Sequence, residues 1–275
     1  IMAIIAISRQ VAALGDEIAA AVAKKLGYTF ITRKQIEDRI VELGFPKEKL
    51  QKYDEIKPGF FASLAKGRDE YLNYLQYAIL EAASKGNCIL IGRGSFVILE
   101  DVPNLISLRF VAKESVRAKR LEKEFNWTEK QAMARINESA ANRKGFHKSF
   151  FNVDNEDASH YMLTINTGIL EPEEVVKQIV NFVKYFATPE KEALGKKRIE
   201  NMLKAQDLTN KLLFEYKLNI NFLRAIIDDE GTSITLQGVA DSQAVVDRAV
   251  TLAAKILPSC TIKSAVNIVQ DFKGC

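Results

Sequence analysis

Ser8 and Arg9 end an apolar run, and after a short loop Gly15 opens an amphipathic stretch whose first turn carries Asp16 and Glu17. A strand that turns through a glycine into a helix gathers backbone N–H groups that have no partner of their own. The helix dipole there favours an anion, and phosphate is the usual occupant. This loop, with Ala13 and Leu14 ahead of its single glycine, lacks the lysine that commonly reaches a phosphate. Arg9, directly past the strand, reads either as a phosphate ligand or as an ion-pair partner at the sheet edge. A second apolar run ends on Gly92-Arg93-Gly94, and further cations follow at Arg117, Arg120, Arg135, Arg143, Lys144 and Lys148. Guanidinium groups grip phosphate bidentately, so the chemistry these residues could share is the holding and neutralising of phosphate. Each also has a plainer reading. Asp16 and Glu17 complement a helix dipole, and the charges around Arg117 and Arg120 form a solvated helix face. Ser8 caps or packs, since no base lies at motif distance. His147 and His160 lack acidic partners at a recognisable spacing and read as structural.

The elements that must position these residues alternate. "AIIAIS" (3–8), "NCILIGRG" (87–94), "LISLRFV" (105–111) and "YMLTINT" (161–167) read as buried strands. Helices are expected over 15–26, 113–125, 128–146, capped by Thr128, and 172–186, opened by Pro172. Residues 32–86 read as amphipathic helices broken near Pro46 and Pro58-Gly59, with Tyr71, Tyr74 and Tyr77 as packing or, alternatively, a base pocket; Trp127 reads as packing. Alternating strands and helices give a parallel sheet covered on both faces, with ligands beyond the carboxyl ends of the strands. Ser8, Arg9 and Gly92 to Gly94 fall there.

After Ala187 the pattern changes. "TPEKEALGKKRIE" reads as a charged linker leading into a helix over about 207–217. Two strands around the turn "DEGT", a helix capped by Asp241 and a last strand "TIKSAVNIV" then make a small α+β unit. We therefore expect two domains, 1–188 and 189–275.

Composition narrows the partners. The chain is 47% hydrophobic and 27% charged with a net charge of +4. That suits an anionic ligand and is too mild to argue for nucleic acid. Cys88, Cys260 and Cys275 are odd in number and widely spaced, against a zinc site or a disulfide framework and for a reducing, cytoplasmic setting. No apolar run reaches the roughly 18 residues of a membrane span. The apolar start is short and uncharged for a signal peptide; Ile1, ahead of Met2, is left out of the reading.

Three stretches carry a family resemblance. "IAISRQ…GDEIAAAVAKKLGY" resembles the opening of the cytidylate kinase-like family, written I-S-R-x-Y-G-S-G-G-x-E-I-A. "ILIGRGSFVILEDVPNLISLRFVAKESVRAKRLEKE" resembles its G-R-D and R-A-x-R-R stretch, and "YMLTINTGILEPEEVVKQI" its terminal strand and helix. The resemblance spans about residues 3–186 and implies a P-loop kinase-like fold of three layers. It also implies phosphoryl transfer from ATP, with Mg2+, to a nucleoside monophosphate, chemistry that rests on positioning and charge neutralisation. Under it, Ser8 and the loop from Ala13 through Leu14, Gly15 and Asp16 address the donor phosphates, and Glu17 ligates the magnesium. Gly92, Arg93, Arg117 and Arg120 address the acceptor, while Arg9 and Arg143, at the lid arginine, stabilise the transferring group. The family glycines fall on Ala12, Leu14 and Gly15, and only Gly15 is kept, so Leu14 meets a backbone conformation that disfavours it. Gly94 replaces the aspartate of G-R-D.

"ITLQGVADSQAVVDRAVTLAAKILPSCTIKSAVNIV" resembles the BON domain pattern over about residues 207–270. It implies a packing or dimerisation module, a homo-oligomer among the outcomes, or a regulatory ligand sensor; lipid contact is the lesser alternative. The expected activity is ATP-dependent phosphorylation of a nucleoside monophosphate or similar small acceptor. The alternative is an inactive, kinase-like nucleotide sensor or adaptor that works through the second domain.

Overall fold

The computed structural model describes residues 3–50, 53 and 65–269. Among these, five strands form a parallel sheet ordered β2-β3-β1-β4-β5: β1 (Ile4–Arg9), β2 (Thr29–Ile31), β3 (Cys88–Ile91), β4 (Leu105–Val111) and β5 (Leu163–Asn166). The apolar runs formed these strands because both faces are buried, so no polar alternation survives. Ile5 and Ile7 face α1 (Gly15–Leu26) and the later helix α8 (Pro172–Phe186), packing on Ile18, Val22, Val175 and Ile179. Ile4 and Ala6 point to the opposite layer of α2 (Arg33–Glu42) and α4 (Ala65–Ser84), with Ile36, Ile40, Leu75 and Ile79. Two short helices, α3 (Lys47–Leu50) and α5 (Ser95–Ile98), complete that layer's connections. The pair α6 (Glu114–Phe125) and α7 (Glu129–Phe151) closes its own small cluster with Ala118, Leu121, Ala132 and Ile136, against which Trp127 packs.

Several expectations need correction. The strand β2 was not foreseen; three residues are too few to show a period. Helix α7 runs on to Phe151 instead of ending near residue 146. Thr128 caps it as expected, within a full capping box with Gln131. The stretch expected as a linker is helix from its second residue, since α9 spans Pro189–Asn210. Thr188 caps it by accepting a bond from Lys191 N at 3.2 Å, and Pro189 sits in the first turn, where a missing N–H does no harm. Its charges are ordinary helix formers on an exposed face, while Ile199, Asn201, Ala205 and Leu208 are buried. The helix expected over about 207–217 is the end of this one, finished by a π-turn over Lys211–Glu215. The Pro58-Gly59 break lies outside the described residues.

The small sheet follows in the order β6 (Ile220–Ile227), β7 (Ser233–Ala240), β8 (Thr261–Ile268). β6 and β7 form the antiparallel hairpin expected around Asp229–Thr232, and β8 joins β7 in parallel after α10 (Gln243–Ile256). Ser242, not Asp241, occupies the cap of α10; Asp241 instead accepts from the Ser242 hydroxyl at 3.0 Å. No helix among the described residues is long and apolar enough to cross a membrane.

Helix α9 belongs to both halves. It packs on α4, where Gln206 donates to Asn73 Oδ1 at 2.9 Å, and its buried Ala205 and Leu208 enter the core of the small sheet. Gly195 marks its closest approach, because a Cβ there would overlap Asn104 Oδ1 from the turn before β4. Gly195→Ala is therefore expected to lower stability by about 1–3 kcal/mol through overpacking, read as a reduced midpoint in urea unfolding at unchanged slope.

Candidate functional site

The register between β1 and β4 sets Ser8 beside Arg109 and Arg9 beside Phe110, at the carboxyl ends of the central strands. The loop that follows holds left-handed backbone at two positions where glycine is absent. Ala12 and Leu14 both lie in the left-handed region, at φ 57° and 56°. Such a conformation costs a non-glycine residue about 1–2 kcal/mol. The expected conflict at Leu14 is thus real, and it is offset by packing: the partly buried Leu14 side chain joins the core beside α1. Thr167 Oγ1 donates to Ala13 O at 2.9 Å and Arg120 Nη1 to Ala12 O at 3.0 Å. In a trans peptide the N–H lies opposite the C=O, so the Leu14 N–H faces away from Thr167. Leu14 gives α1 no side-chain cap, which leaves the first N–H groups of the helix to a ligand or water.

Arg9 lies beside this loop. Its Nε meets Asp16 Oδ2 at 3.4 Å. A Cβ on Gly15 would come 2.7 Å from Arg9 Cγ, and one on Gly92 would come 2.9 Å from Arg9 Nη1. Gly15 and Gly92 are therefore the two surfaces along which this side chain runs. Gly15→Ala would push against the inflexible root of Arg9. We expect a loss of about 1–3 kcal/mol, seen as a lower melting temperature, together with weaker phosphate binding. Asp16 and Glu17 are both exposed in the first turn; Asp16 is engaged with Arg9.

Behind Arg9 three more arginines converge on one small cavity of about 20 Å³, which Asn155 and Glu156 also line. Arg143, from the middle of α7, donates to Arg9 O at 2.7 Å, and the next turn holds it through His147 Nδ1 at 2.8 Å from Arg143 O. Arg109 is buried. It donates to Ser8 Oγ at 3.2 Å and to Asn155 O, and lies over the Tyr161 ring. Arg117 is buried too, with its Nε on Ala112 O at 2.9 Å. Burial pulls its pKa below the ordinary arginine value, against the opposing carboxylates of Glu114 and Glu156. Among the described residues no carboxylate comes within 4.0 Å of Arg109. A buried cation without a carboxylate carries a desolvation penalty that an anion would remove. Asn155 Oδ1, also buried, finds no hydrogen-bond partner.

The predicted residues thus separate. Arg9, Arg117 and Arg143 line one cavity with Arg109, Ser8 accepts from Arg109, and Gly15 and Gly92 flank the Arg9 side chain, while Ala13 and Leu14 pack into the core and Asp16 and Glu17 lie exposed in the first turn of α1. Arg120 sits behind the loop, donating to Ala12 O and to Thr167 O at 2.6 Å, so it braces the loop. Arg93 turns into the opposite layer, where it pairs with Glu37, donates to Tyr53 O at 3.1 Å and lies over Phe146. Its side chain is only 2% exposed. The expectation that Arg93 is open to an acceptor phosphate meets an internal ion pair instead, and Phe151 fills the space over Gly94. Burial pushes the Glu37 carboxyl up, but Arg93 and Arg33 outweigh it and hold it below its ordinary value. Tyr71 stacks on Tyr53 at 4.9 Å and Tyr74 on Phe214 at 4.6 Å, which is packing. Burial pushes the Cys88 thiol up to about 12, so it stays protonated.

Sequence reasoning missed Arg109 and Asn155. Arg109 had a signal, as the one charge inside an otherwise apolar strand; Asn155, in a polar loop, had none.

Residues 4–169 match the pattern of the cytidylate kinase-like family. A cytidylate kinase of Methanocaldococcus jannaschii is 29% identical over 136 residues, covering 49% of this chain and 70% of its own. Among solved structures, an uncharacterized protein from Eubacterium ventriosum superposes with a TM-score of 0.55 at 18% identity, over 66% of this chain and 98% of the other. The family pattern covers more than half of the sequence: this chain belongs to the cytidylate kinase-like family.

Proposed function

We propose that the chain is a nucleotide-dependent phosphotransferase, taking its phosphoryl group from ATP and passing it to a small acceptor. The observation that carries this reading is the buried Arg109, which lines one small cavity with Arg9, Arg117 and Arg143 just past the end of β1. Phosphoryl transfer needs little from a protein beyond positioning and neutralised charge, and these groups can supply both. In this reading the N–H groups of Leu14, Gly15 and Asp16 receive donor phosphate oxygens, Arg9 and Arg143 neutralise the transferring group, and Arg109 holds a terminal oxygen with Ser8 behind it. Seating a phosphate in so small a cavity requires the long Arg9 and Arg143 side chains to swing outward. Glu17, exposed in the first turn of α1, fits the single carboxylate through which magnesium is commonly tied to a bound phosphate. Magnesium there would supply charge neutralisation. The ATP donor, with the unpaired thiols of Cys88 and Cys260, supports a cytoplasmic setting.

The Arg93–Glu37 pair favours a second reading. With its acceptor arginine engaged, the domain would bind nucleotide without turning it over, and the C-terminal unit, BON-like in pattern, would carry the output. Incubation with ATP, magnesium and a panel of nucleoside monophosphates separates the two. ADP release that disappears in Arg143→Ala supports transfer. Binding of ATP without ADP release supports the sensor, and the absence of both rejects both.

A further inference from the structure

A second cavity, of about 590 Å³, lies where α4, α5, the last turn of α7, α9 and β6 meet. Its size is within the range of small-molecule sites. Away from β6 the lining is mixed, with Leu72, Ile98 and Met202 as its apolar part beside Gln76 and Gln206. β6 contributes Arg224 and Ile226, two residues apart and so on one face of the strand. Both are exposed, Ile226 at 47%. The cavity's other arginine, Arg198, is bridged to Asp101 at 3.3 Å and Asp229 at 3.5 Å, whereas no carboxylate among the described residues lies within 4.0 Å of Arg224. One wall thus offers a cation beside an apolar side chain, and the facing α4–α9 wall sets apolar Leu72 and Met202 among polar Gln76 and Gln206, with Glu100 and Asp101 also on the lining.

We propose that this cavity binds a small amphipathic anion, its carboxylate or phosphate on Arg224 and its apolar body between Ile226 and the α4–α9 wall. Such a ligand would touch the helix that braces the arginine site. Ser149 to Asn152 line the cavity, Phe151 lies over Gly94, and Arg143 of the same helix holds Arg9 O. The site is therefore regulatory, and it stands whether or not the nucleotide is turned over.

The test is a calorimetric titration of the full chain with monomeric dodecanoate. We expect saturable one-to-one binding, weakened at least roughly tenfold in Arg224→Glu through loss of the charge-assisted contact, and weakened likewise in Ile226→Trp, which crowds the space beside Arg224. Both substitutions lie on an exposed strand face, and unchanged melting temperatures confirm folded variants. Amide exchange over 146–152 should slow in the saturated protein. Affinity indifferent to both substitutions overturns the proposal. So does the lack of saturable binding, or uptake seen only on phosphatidylglycerol vesicles.

Discussion

Arg109→Met is expected to abolish nucleotide binding while leaving the melting temperature unchanged or higher. The two effects run in opposite directions for one physical reason. In the ligand-free protein the guanidinium is buried, and among the described residues no carboxylate pairs with it. An apolar side chain of similar volume removes that desolvation penalty, and such replacements of buried charge are often neutral or stabilising. Little is stranded by the change. Asn155 O keeps the Tyr161 hydroxyl at 2.9 Å, and the Ser8 hydroxyl can rotate to another partner. With phosphate bound, however, the charge-assisted bonds disappear, each worth about 1.5–3 kcal/mol, so affinity should fall roughly a hundredfold or more. Thermal shift without ligand and calorimetry with ATP read the two halves separately. A lower melting temperature together with unchanged affinity would assign Arg109 a packing role.

Glu37→Ala is expected to destabilise the fold, by a few kcal/mol at most, because it removes a carboxylate that pairs with the nearly fully buried Arg93, roughly the scale of breaking a buried ion pair. The double variant Glu37→Leu/Arg93→Met, which removes both charges, should recover most of that loss and keep ATP binding, since neither residue lines the cavity behind Arg9. The same pair sets an acid limit. Glu37 is held below its ordinary value of 4.5, so the folded state binds its proton less readily than the unfolded chain. Its contribution is full above that value and is lost as the pH falls through the lower folded value. Urea midpoints measured from pH 7 downward should therefore drop on acidification through this range, and should drop less in the double variant. Equal acid sensitivity in the two proteins would exclude the pair as the cause.

What the sequence disclosed follows from how local each cause is. The strands β1, β3 and β4 were legible because two buried faces leave an uninterrupted apolar run, and the loop was legible because strand, glycine and helix are contiguous. Gly15, Arg9 and Arg143 could be matched one by one to a family pattern. The long α9 was not legible. Its buried stripe is thin and mixed, with Gly195 and Asn201 inside, and only contact with α4 and the small sheet explains it. The fate of Arg93 was equally hidden, since its partner Glu37 sits far away in sequence and the choice between ligand and ion pair is made by tertiary packing. Leu14 shows a third kind of limit. Its backbone preference was read correctly, yet packing of its partly buried side chain offsets that preference and the residue keeps a left-handed backbone.

The central claim is that peptide N–H groups at the start of α1, with arginines arriving from β1, β4 and α7, form a seat for the phosphates of a nucleotide. Calorimetric titration of the intact chain with ATP, with and without magnesium, tests it most directly. The account requires saturable binding that weakens in Arg143→Ala and vanishes in Arg109→Met. An absence of heat at millimolar ATP, or binding that survives both substitutions, would contradict it.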